Sequence, residues 1–179
     1  MSPVAGVLLA PGASATRESP ALVAVEAAVA PLPVVRIDLP SGRKPSVIVQ
    51  TVVEEAEAFT ASLGVGTESL VLGGRSMGGR MCSMAVAEGL PAAGLVLMSY
   101  PLHPPGRPEK VRTAHLPDVR VPCLFVSGTK DPFGTPEELE AATGLVAGPV
   151  THRWLEGVGH APRDHAAVAA VVADWVAGL

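Results

Sequence analysis

The strongest constraint on the fold of this chain is a regular alternation of short apolar runs with longer segments of helical spacing. The apolar runs are rich in Val, Leu and Ile and lie at 4–10, 34–39, 69–74, 94–99, 123–127 and 152–155. They predict β-strands, most of them buried on both faces. The helical segments lie at 20–30, 46–63, 77–88, 136–145 and 164–178. Strands that alternate with helices need crossover connections, so the sequence predicts about six mostly parallel strands in a three-layer α/β/α sandwich.

Residue preferences at the ends of several helical segments support these boundaries. Ser19 before Pro20 is typical of an N-cap followed by proline at the first helical position. Thr135 with Glu138 three residues later predicts a capping box. Gly64 follows the second helical segment, where a left-handed residue usually ends a helix. In such a sheet ligands bind beyond the carboxyl ends of the strands, so the residues after each strand are the candidates for a functional site.

Length and charge limit the classes of function. The chain has 179 residues and no segment of linker composition, which predicts a single domain over residues 1–179. Hydrophobic residues make up 48% of it, but no apolar stretch is long enough to span a membrane and the first residues lack the pattern of a secretory signal. The net charge of −4, with scattered basic residues, disfavours a nucleic-acid partner. We therefore expect a cytoplasmic monomer or homodimer that binds a small molecule.

The two cysteines, Cys82 and Cys123, are far apart in the sequence, and neither has a second Cys or a His at metal-ligand spacing. Buried, reduced thiols are the favoured interpretation, with a disulfide as the alternative. We expect neither a metal ion nor a cofactor.

The third predicted strand runs directly into the pattern Gly-x-Ser-x-Gly at 74–78, and a predicted helix begins immediately afterwards. This context is typical of a nucleophile elbow. The turn is so sharp that Ser76 must adopt a strained backbone conformation, and a side chain at Gly74 or Gly78 would collide with neighbouring backbone. The pattern alone arises by chance in a chain rich in glycine, but its position between a strand and a helix makes Ser76 the candidate nucleophile.

A serine nucleophile needs a base and a residue that orients the base. Asp131 follows the fifth predicted strand directly, and His160 lies between the last strand and the last helix. The order Ser, Asp, His is the one that this architecture requires. Each residue also has a structural alternative, since Asp131 before a proline could stabilise its own turn and His160 could be an ordinary loop histidine. Three matches in the correct order favour a catalytic triad.

Further residues are expected around the nucleophile. The backbone N–H groups of Met77 and Ala13 are the candidate oxyanion donors, since Met77 follows the nucleophile and Ala13 lies in the loop after the first strand. His103 and Arg107 lie in the proline-rich loop after the fourth strand and could line the pocket mouth. A rigid surface loop is an equal alternative for that segment. The other histidines are weaker candidates for the base: His103, His115, His152 and His165.

With these residues in place, the chain resembles the α/β-hydrolase superfamily over nearly its whole length. Two stretches, Ser-Tyr-Pro-Leu-His-Pro-Pro-Gly-Arg-Pro-Glu-Lys at 99–110 and Gly-Thr-Lys-Asp-Pro-Phe-Gly-Thr at 128–135, are similar to a dienelactone-hydrolase-like branch. That branch includes testis-expressed hydrolase-like proteins and a domain of a nonspecific-lethal complex subunit. The resemblance implies a minimal fold with strand order 2-1-3-4-5-6 and no cap domain. The loop at 100–115 would then cover the site.

The sequence thus predicts a serine hydrolase that cleaves small esters or thioesters through an acyl intermediate on Ser76. An acyltransferase or a cofactor-free peroxidase could use the same triad. The alternative from a different class is a non-catalytic interaction or scaffold module that keeps the fold. Three intact triad residues favour the enzyme, since a scaffold has no steric need for all of them.

Overall fold

The computed structural model describes residues 3–179, which form six strands and five α-helices. The strands are β1 (Gly6–Ala10), β2 (Val34–Arg36), β3 (Leu70–Arg75), β4 (Gly94–Met98), β5 (Cys123–Gly128) and β6 (Val150–Leu155). The helices are α1 (Pro20–Val29), α2 (Pro45–Leu63), α3 (Met77–Ala87), α4 (Pro136–Thr143) and α5 (His165–Ala177). Every predicted strand and helix is therefore present, with ends that differ by at most three residues.

The six strands form one sheet in the order β2-β1-β3-β4-β5-β6, and all neighbouring strands pair in parallel. The expected order and the parallel sheet are both confirmed. Because the strands are parallel, their carboxyl ends lie at one edge of the sheet, and the chain order reverses between β1 and β3. Ligands bind at such a reversal in open α/β sheets.

Alternate residues of each central strand point into two different cores. Leu70 and Leu72 of β3 pack on the side that also holds Val52 of α2 and Met81 of α3. Val71 of β3 points to the other side, where α1 and α5 lie against each other. The strands β1, β3, β4 and β5 are almost wholly buried, while the edge strands β2 and β6 are half-buried. Burial on both faces explains why the four central strands have almost continuous apolar sequences.

The helix ends agree with the sequence at all three expected positions. Thr135 accepts a hydrogen bond from the Glu138 N–H while the Glu138 carboxylate accepts one from the Thr135 N–H, so the capping box is confirmed. Gly64 ends α2 in the left-handed conformation with φ 69°. Ser19 occupies the N-cap position of α1, but its side chain makes no capping hydrogen bond. Its backbone carbonyl instead accepts the N–H groups of residues 22 and 23.

Cys82 and Cys123 are both buried and unbonded to each other, as expected of reduced thiols. Burial raises the pKa of each thiol to about 12, which keeps both in the neutral form. Among the residues that the structure describes, 3–179, no helix is both long and apolar enough to cross a membrane.

Candidate active site

The turn between β3 and α3 has the geometry predicted for the Gly-x-Ser-x-Gly pattern. Ser76 has φ 51° and ψ −116°, an unusual conformation for a residue with a side chain. Its N–H donates to the Met98 carbonyl at the end of β4, at 2.8 Å. A Cβ atom at Gly74 would collide with the carbonyl oxygen of Ala10, and one at Gly78 would collide with the same oxygen. The strained serine is thus held by close backbone packing that only glycine allows at both flanking positions.

Ser76, His160 and Asp131 lie together in one hydrogen-bonded chain. The Ser76 Oγ is 2.8 Å from His160 Nε2, and His160 Nδ1 is 2.8 Å from Oδ2 and 3.0 Å from Oδ1 of Asp131. With Nδ1–H donating to the carboxylate, Nε2 is the nitrogen that accepts the serine hydroxyl proton. The Asp131 side chain is 3% exposed and that of His160 is 18% exposed. The structure therefore brings the three predicted residues together, with the serine and histidine accessible from the cavity described below.

Hydrogen bonds between the two loops fix the distance from Asp131 to His160. The Lys130 N–H donates to the Val158 carbonyl at 2.9 Å, and the Gly157 N–H donates to the Thr129 hydroxyl at 2.8 Å. A Cβ atom at Gly128, the last residue of β5, would collide with the Val158 carbonyl. The loop that holds the histidine can therefore lie directly across the end of β5 because that strand ends in glycine.

Phe133 contacts both His160 and Asp131. This residue was not identified from the sequence. Its ring stacks on the His160 imidazole with centroids 4.0 Å apart and planes inclined by 27°. Its N–H donates to Asp131 Oδ1 at 2.9 Å. The Asp-Pro-Phe turn was visible in the sequence, but nothing in the spacing showed that the aromatic ring folds back over the histidine.

Ser76 opens into a cavity of about 410 Å³ at the carboxyl edge of the sheet. This volume lies in the range of small-molecule sites. The lining residues are Ala13, Arg75, Ser76, Met77, Arg80, Pro101, Arg112, Phe133 and His160. Arg75 also donates to the His160 carbonyl at 3.0 Å, which ties the histidine loop to the elbow. The loop at 100–115 contributes Pro101 and Arg112, so part of it does lie over the site.

His103 and Arg107, the two residues expected at the pocket mouth, do not line this cavity. His103 is buried beside α4, where its Nδ1 is 2.9 Å from the Pro104 carbonyl and its Nε2 is 3.2 Å from the Glu138 carboxylate. Arg107 is exposed at a turn of the same loop. The loop folds so that Arg112, rather than Arg107, returns to the sheet edge. Arg80, one helical turn after Ser76, could have been found from its spacing, because residues four apart share a helix face.

The two candidate oxyanion donors border the same cavity as the nucleophile. Met77 begins α3, and Ala13 lies in the loop after β1. The first N–H groups of a helix have no intrahelical partner, so the Met77 N–H is available to an acceptor in the cavity. Their role as oxyanion donors stays a prediction.

The remaining histidines have structural surroundings away from Ser76. His115 is 2.8 Å from the Ser83 hydroxyl, and burial together with Arg80 lowers its pKa to about 4. His152 lies in β6, stacks against Trp154 and contacts the Thr143 hydroxyl at 2.9 Å. His165 begins α5. Within residues 3–179, no group of three or more His, Cys, Asp or Glu side chains is arranged to hold a metal ion.

An open parallel sheet with a nucleophile elbow after its third strand defines the α/β-hydrolase class of folds. The chain belongs to the family described as the alpha/beta hydrolase domain, whose model matches residues 3–167.

Solved structures similar to this one include several proteins of that fold. A dienelactone hydrolase from Anabaena variabilis is 20% identical, with 99% of this chain and 87% of that chain covered and a TM-score of 0.77. Est1E from Butyrivibrio proteoclasticus is 16% identical, with 99% and 89% covered and a TM-score of 0.80. A carboxylesterase from Bacillus cereus is 15% identical, with 97% and 87% covered and a TM-score of 0.74. At these identities the similarity establishes the fold.

Proposed function

We propose that this protein is a serine hydrolase that cleaves small esters or thioesters through an acyl intermediate on Ser76. The observation that supports it most strongly is the continuous hydrogen-bonded chain from the Ser76 hydroxyl through His160 to the buried carboxylate of Asp131. Such a chain activates a hydroxyl that is otherwise a weak nucleophile at neutral pH.

In the first half-reaction the Ser76 Oγ attacks the acyl carbon while His160 Nε2 takes the hydroxyl proton. The carbonyl electron pair moves to oxygen, where the N–H groups of Met77 and Ala13 stabilise the negative charge. Asp131 stabilises the imidazolium that forms, because its carboxylate accepts the Nδ1–H. When the carbonyl re-forms, the bond to the leaving oxygen or sulfur breaks and that atom takes the proton from Nε2.

In the second half-reaction water replaces the departed alcohol or thiol. His160 Nε2 accepts a proton from the water as its oxygen attacks the acyl carbon, and the electron pair again moves to the carbonyl oxygen. Collapse of this second intermediate breaks the bond to Ser76 Oγ, which takes the proton back from Nε2. The acid product leaves, and the triad returns to its starting state.

The similar structures agree with ester chemistry. They include a dienelactone hydrolase and a carboxylesterase, and Est1E has also been solved with ferulic acid bound. We extend to this chain only the general reaction, hydrolysis of an ester or thioester.

The test is covalent labelling with a fluorophosphonate followed by intact-mass analysis. We expect one adduct on the wild-type protein, none on Ser76→Ala and a strong reduction in His160→Ala, because the hydroxyl then has no base. His165→Ala is the matched control and should label normally, since His165 lies at the start of α5. A folded wild-type protein that stays unlabelled at millimolar probe would overturn the proposal in favour of the scaffold.

A further inference from the structure

The cavity beside Ser76 has a charge distribution unlike that of the whole chain. The chain has a net charge of −4, yet three arginines line this cavity: Arg75, Arg80 and Arg112. No carboxylate is among the lining residues, and the Asp131 side chain lies behind His160. None of the ion pairs formed within residues 3–179 includes any of these three guanidinium groups. The cavity around the nucleophile is therefore positively charged, and no ion pair within residues 3–179 neutralises that charge.

Arg80 has a buried donor that the described part of the protein leaves unpaired. It lies in α3 one turn after Ser76, its Nε is buried, and that nitrogen has no hydrogen-bond partner in the described part of the chain. Burial lowers the pKa of Arg80, and the nearby charge of Arg112 adds to this effect against the opposing influence of Tyr100. Both the buried donor and the repulsion between two cations cost free energy. An anion between the two arginines would remove both costs.

Arg112 is fixed from the other side of the cavity by its own backbone. Its N–H donates to the Leu102 carbonyl at 2.8 Å, and its carbonyl accepts the Tyr100 hydroxyl at 3.0 Å. Its side chain donates one hydrogen bond within residues 3–179, from Nη1 to the Pro101 carbonyl at 3.2 Å. The remaining N–H donors of the Arg112 guanidinium are therefore held at a defined position. A ligand that binds them costs little side-chain conformational entropy.

We propose that Arg80 and Arg112 form a subsite for a compact oxyanion, so that the substrate of Ser76 is an ester or thioester that also carries a carboxylate or phosphate group. The guanidinium fork matches either anion with paired hydrogen bonds, and such bonds are stronger than those between neutral groups. The substrate class rests on the proposed function, whereas the anion subsite can be measured without turnover. Hydrolysis would release a fragment that carries both the anionic group and the polar group freed from the cleaved bond.

The first experiment measures binding with a probe that Ser76 does not cleave. Isothermal titration of the wild-type protein with 4-acetamidobenzoate is compared with its neutral analogue 4-acetamidobenzamide, which has the same shape. We expect the carboxylate to bind at least about tenfold more tightly, and this preference to weaken about tenfold in Arg80→Met and in Arg112→Met. Arg107→Met is the matched control, because Arg107 is exposed in the same loop but does not line the cavity. Equal affinity for the two probes would overturn the subsite.

Arg80→Lys, together with Arg112→Met, keeps this test decisive if Arg80→Met folds poorly. Arg80→Lys retains the charge but not the fork, so it should keep part of the preference. Arg112→Met lies in a loop and leaves α3 intact, and a thermal melt of each variant checks the fold. Titration with 4-acetamidophenyl phosphate identifies the preferred anion: tighter binding than the benzoate assigns a phosphate, and weaker binding assigns a carboxylate.

The second experiment separates failure of this inference from failure of the proposed function. Hydrolysis of 4-acetoxybenzoate is compared with that of 4-acetoxybenzamide, and the ratio of their kcat/KM values is measured in the same variants. We expect a ratio well above one that falls about tenfold when either arginine is replaced. Turnover of both esters at equal rates would overturn the anionic substrate and leave the hydrolase standing. Anion binding without labelling of Ser76 or turnover would overturn the hydrolase and leave the subsite.

Discussion

Both carboxylate oxygens of Asp131 lie within hydrogen-bond distance of His160 Nδ1, and this contact gives the first prediction. Asp131→Asn keeps the size of the side chain but presents an amide that can donate to Nδ1. His160 would then carry its proton on Nε2, where it cannot accept the proton of Ser76. We expect kcat to fall by about three to four orders of magnitude with little change in unfolding temperature.

The matched control for this change is Asp174→Asn, which alters an exposed aspartate on α5 and should leave kcat unchanged. Steady-state kinetics on an activated acetate ester measures both variants. Wild-type turnover in Asp131→Asn would remove the aspartate from the catalytic role.

A second residue prediction concerns Gly78 in the first turn of α3. An alanine there would favour the helix by about 1 kcal/mol, but its Cβ would collide with the carbonyl oxygens of Ala10 and Pro11. Overpacking against fixed backbone costs about 1–3 kcal/mol, so we expect Gly78→Ala to lower the free energy of unfolding and to displace Ser76 from His160. Gly178→Ala is the control, since a Cβ there meets its nearest neighbour at 3.5 Å. Urea unfolding and fluorophosphonate labelling measure the two effects, and equal results for both variants would contradict the prediction.

These residues show why some of the site could be predicted from the sequence. The glycines beside Ser76 are required because any side chain there would collide with nearby backbone. This requirement falls on residues close together in the chain, so it is visible as a short sequence pattern. Asp131 and His160 follow from their places after known strands. Phe133 and Arg112 reach the site only through the long-range path of their loops. No spacing encodes that path, so their positions required the three-dimensional fold.

The contact between the loop after β4 and helix α4 gives a prediction about pH. The Pro104 carbonyl and the Glu138 carboxylate raise the pKa of His103, and the Thr135 N–H and His103 lower the pKa of Glu138. A raised histidine pKa means that the contribution to stability is complete below the ordinary value near 6.5 and is lost as pH rises through the folded value. The Glu138 contribution is lost only at low pH, below its ordinary value near 4.5.

We therefore expect the difference in Tm between wild type and His103→Gln to be largest near pH 6 and to shrink towards pH 8.5. Thermal melts across this range measure it, and repeating them in a Glu138→Gln background should reduce the pH dependence without abolishing it, because the Pro104 carbonyl remains as the larger influence on the pKa of His103. A difference that stays constant from pH 5.5 to 8.5 would mean that folding does not change the pKa of His103, which would contradict the prediction. Esterase activity should persist in His103→Gln, because His103 does not line the cavity.

Prediction at the level of elements succeeded in the centres of strands and failed at their ends. The apolar pattern of β6 was recognised from residue 152, but the strand begins at Val150, where it pairs with Cys123 of β5. The predicted strand at 34–39 ends at Arg36, and Asp38 forms an ion pair with Arg17. Strand ends are decided by pairing partners and loop contacts, which the sequence of one segment does not contain.

At the scale of the whole molecule, residues 3–179 form one sheet between two helical layers, and both apolar cores share the central strands. Leu8 and Val7 of β1 point into opposite cores. Unfolding of the helices on one face would therefore disturb strands that the other core also needs. The single domain expected over residues 1–179 stays a prediction. The expected monomer or homodimer stays a prediction, measurable by light scattering of the purified protein.

The open cavity and the absence of a cap between β4 and β5 lead to the last prediction, which concerns chain length. Across residues 3–179 the segment between these strands contains a loop and one short 3₁₀ turn, with no helical lid. A long acyl chain would leave a cavity of about 410 Å³ and pass into solvent, where it gains no apolar contact. We expect kcat/KM for neutral 4-nitrophenyl esters to be highest for acetyl to butyryl and to fall by octanoyl. Neutral esters are used so that the arginines do not influence the ranking, and all concentrations stay below the micellar range. A steady rise in kcat/KM from acetyl to octanoyl would mean that an apolar channel opens beside Ser76 when substrate binds.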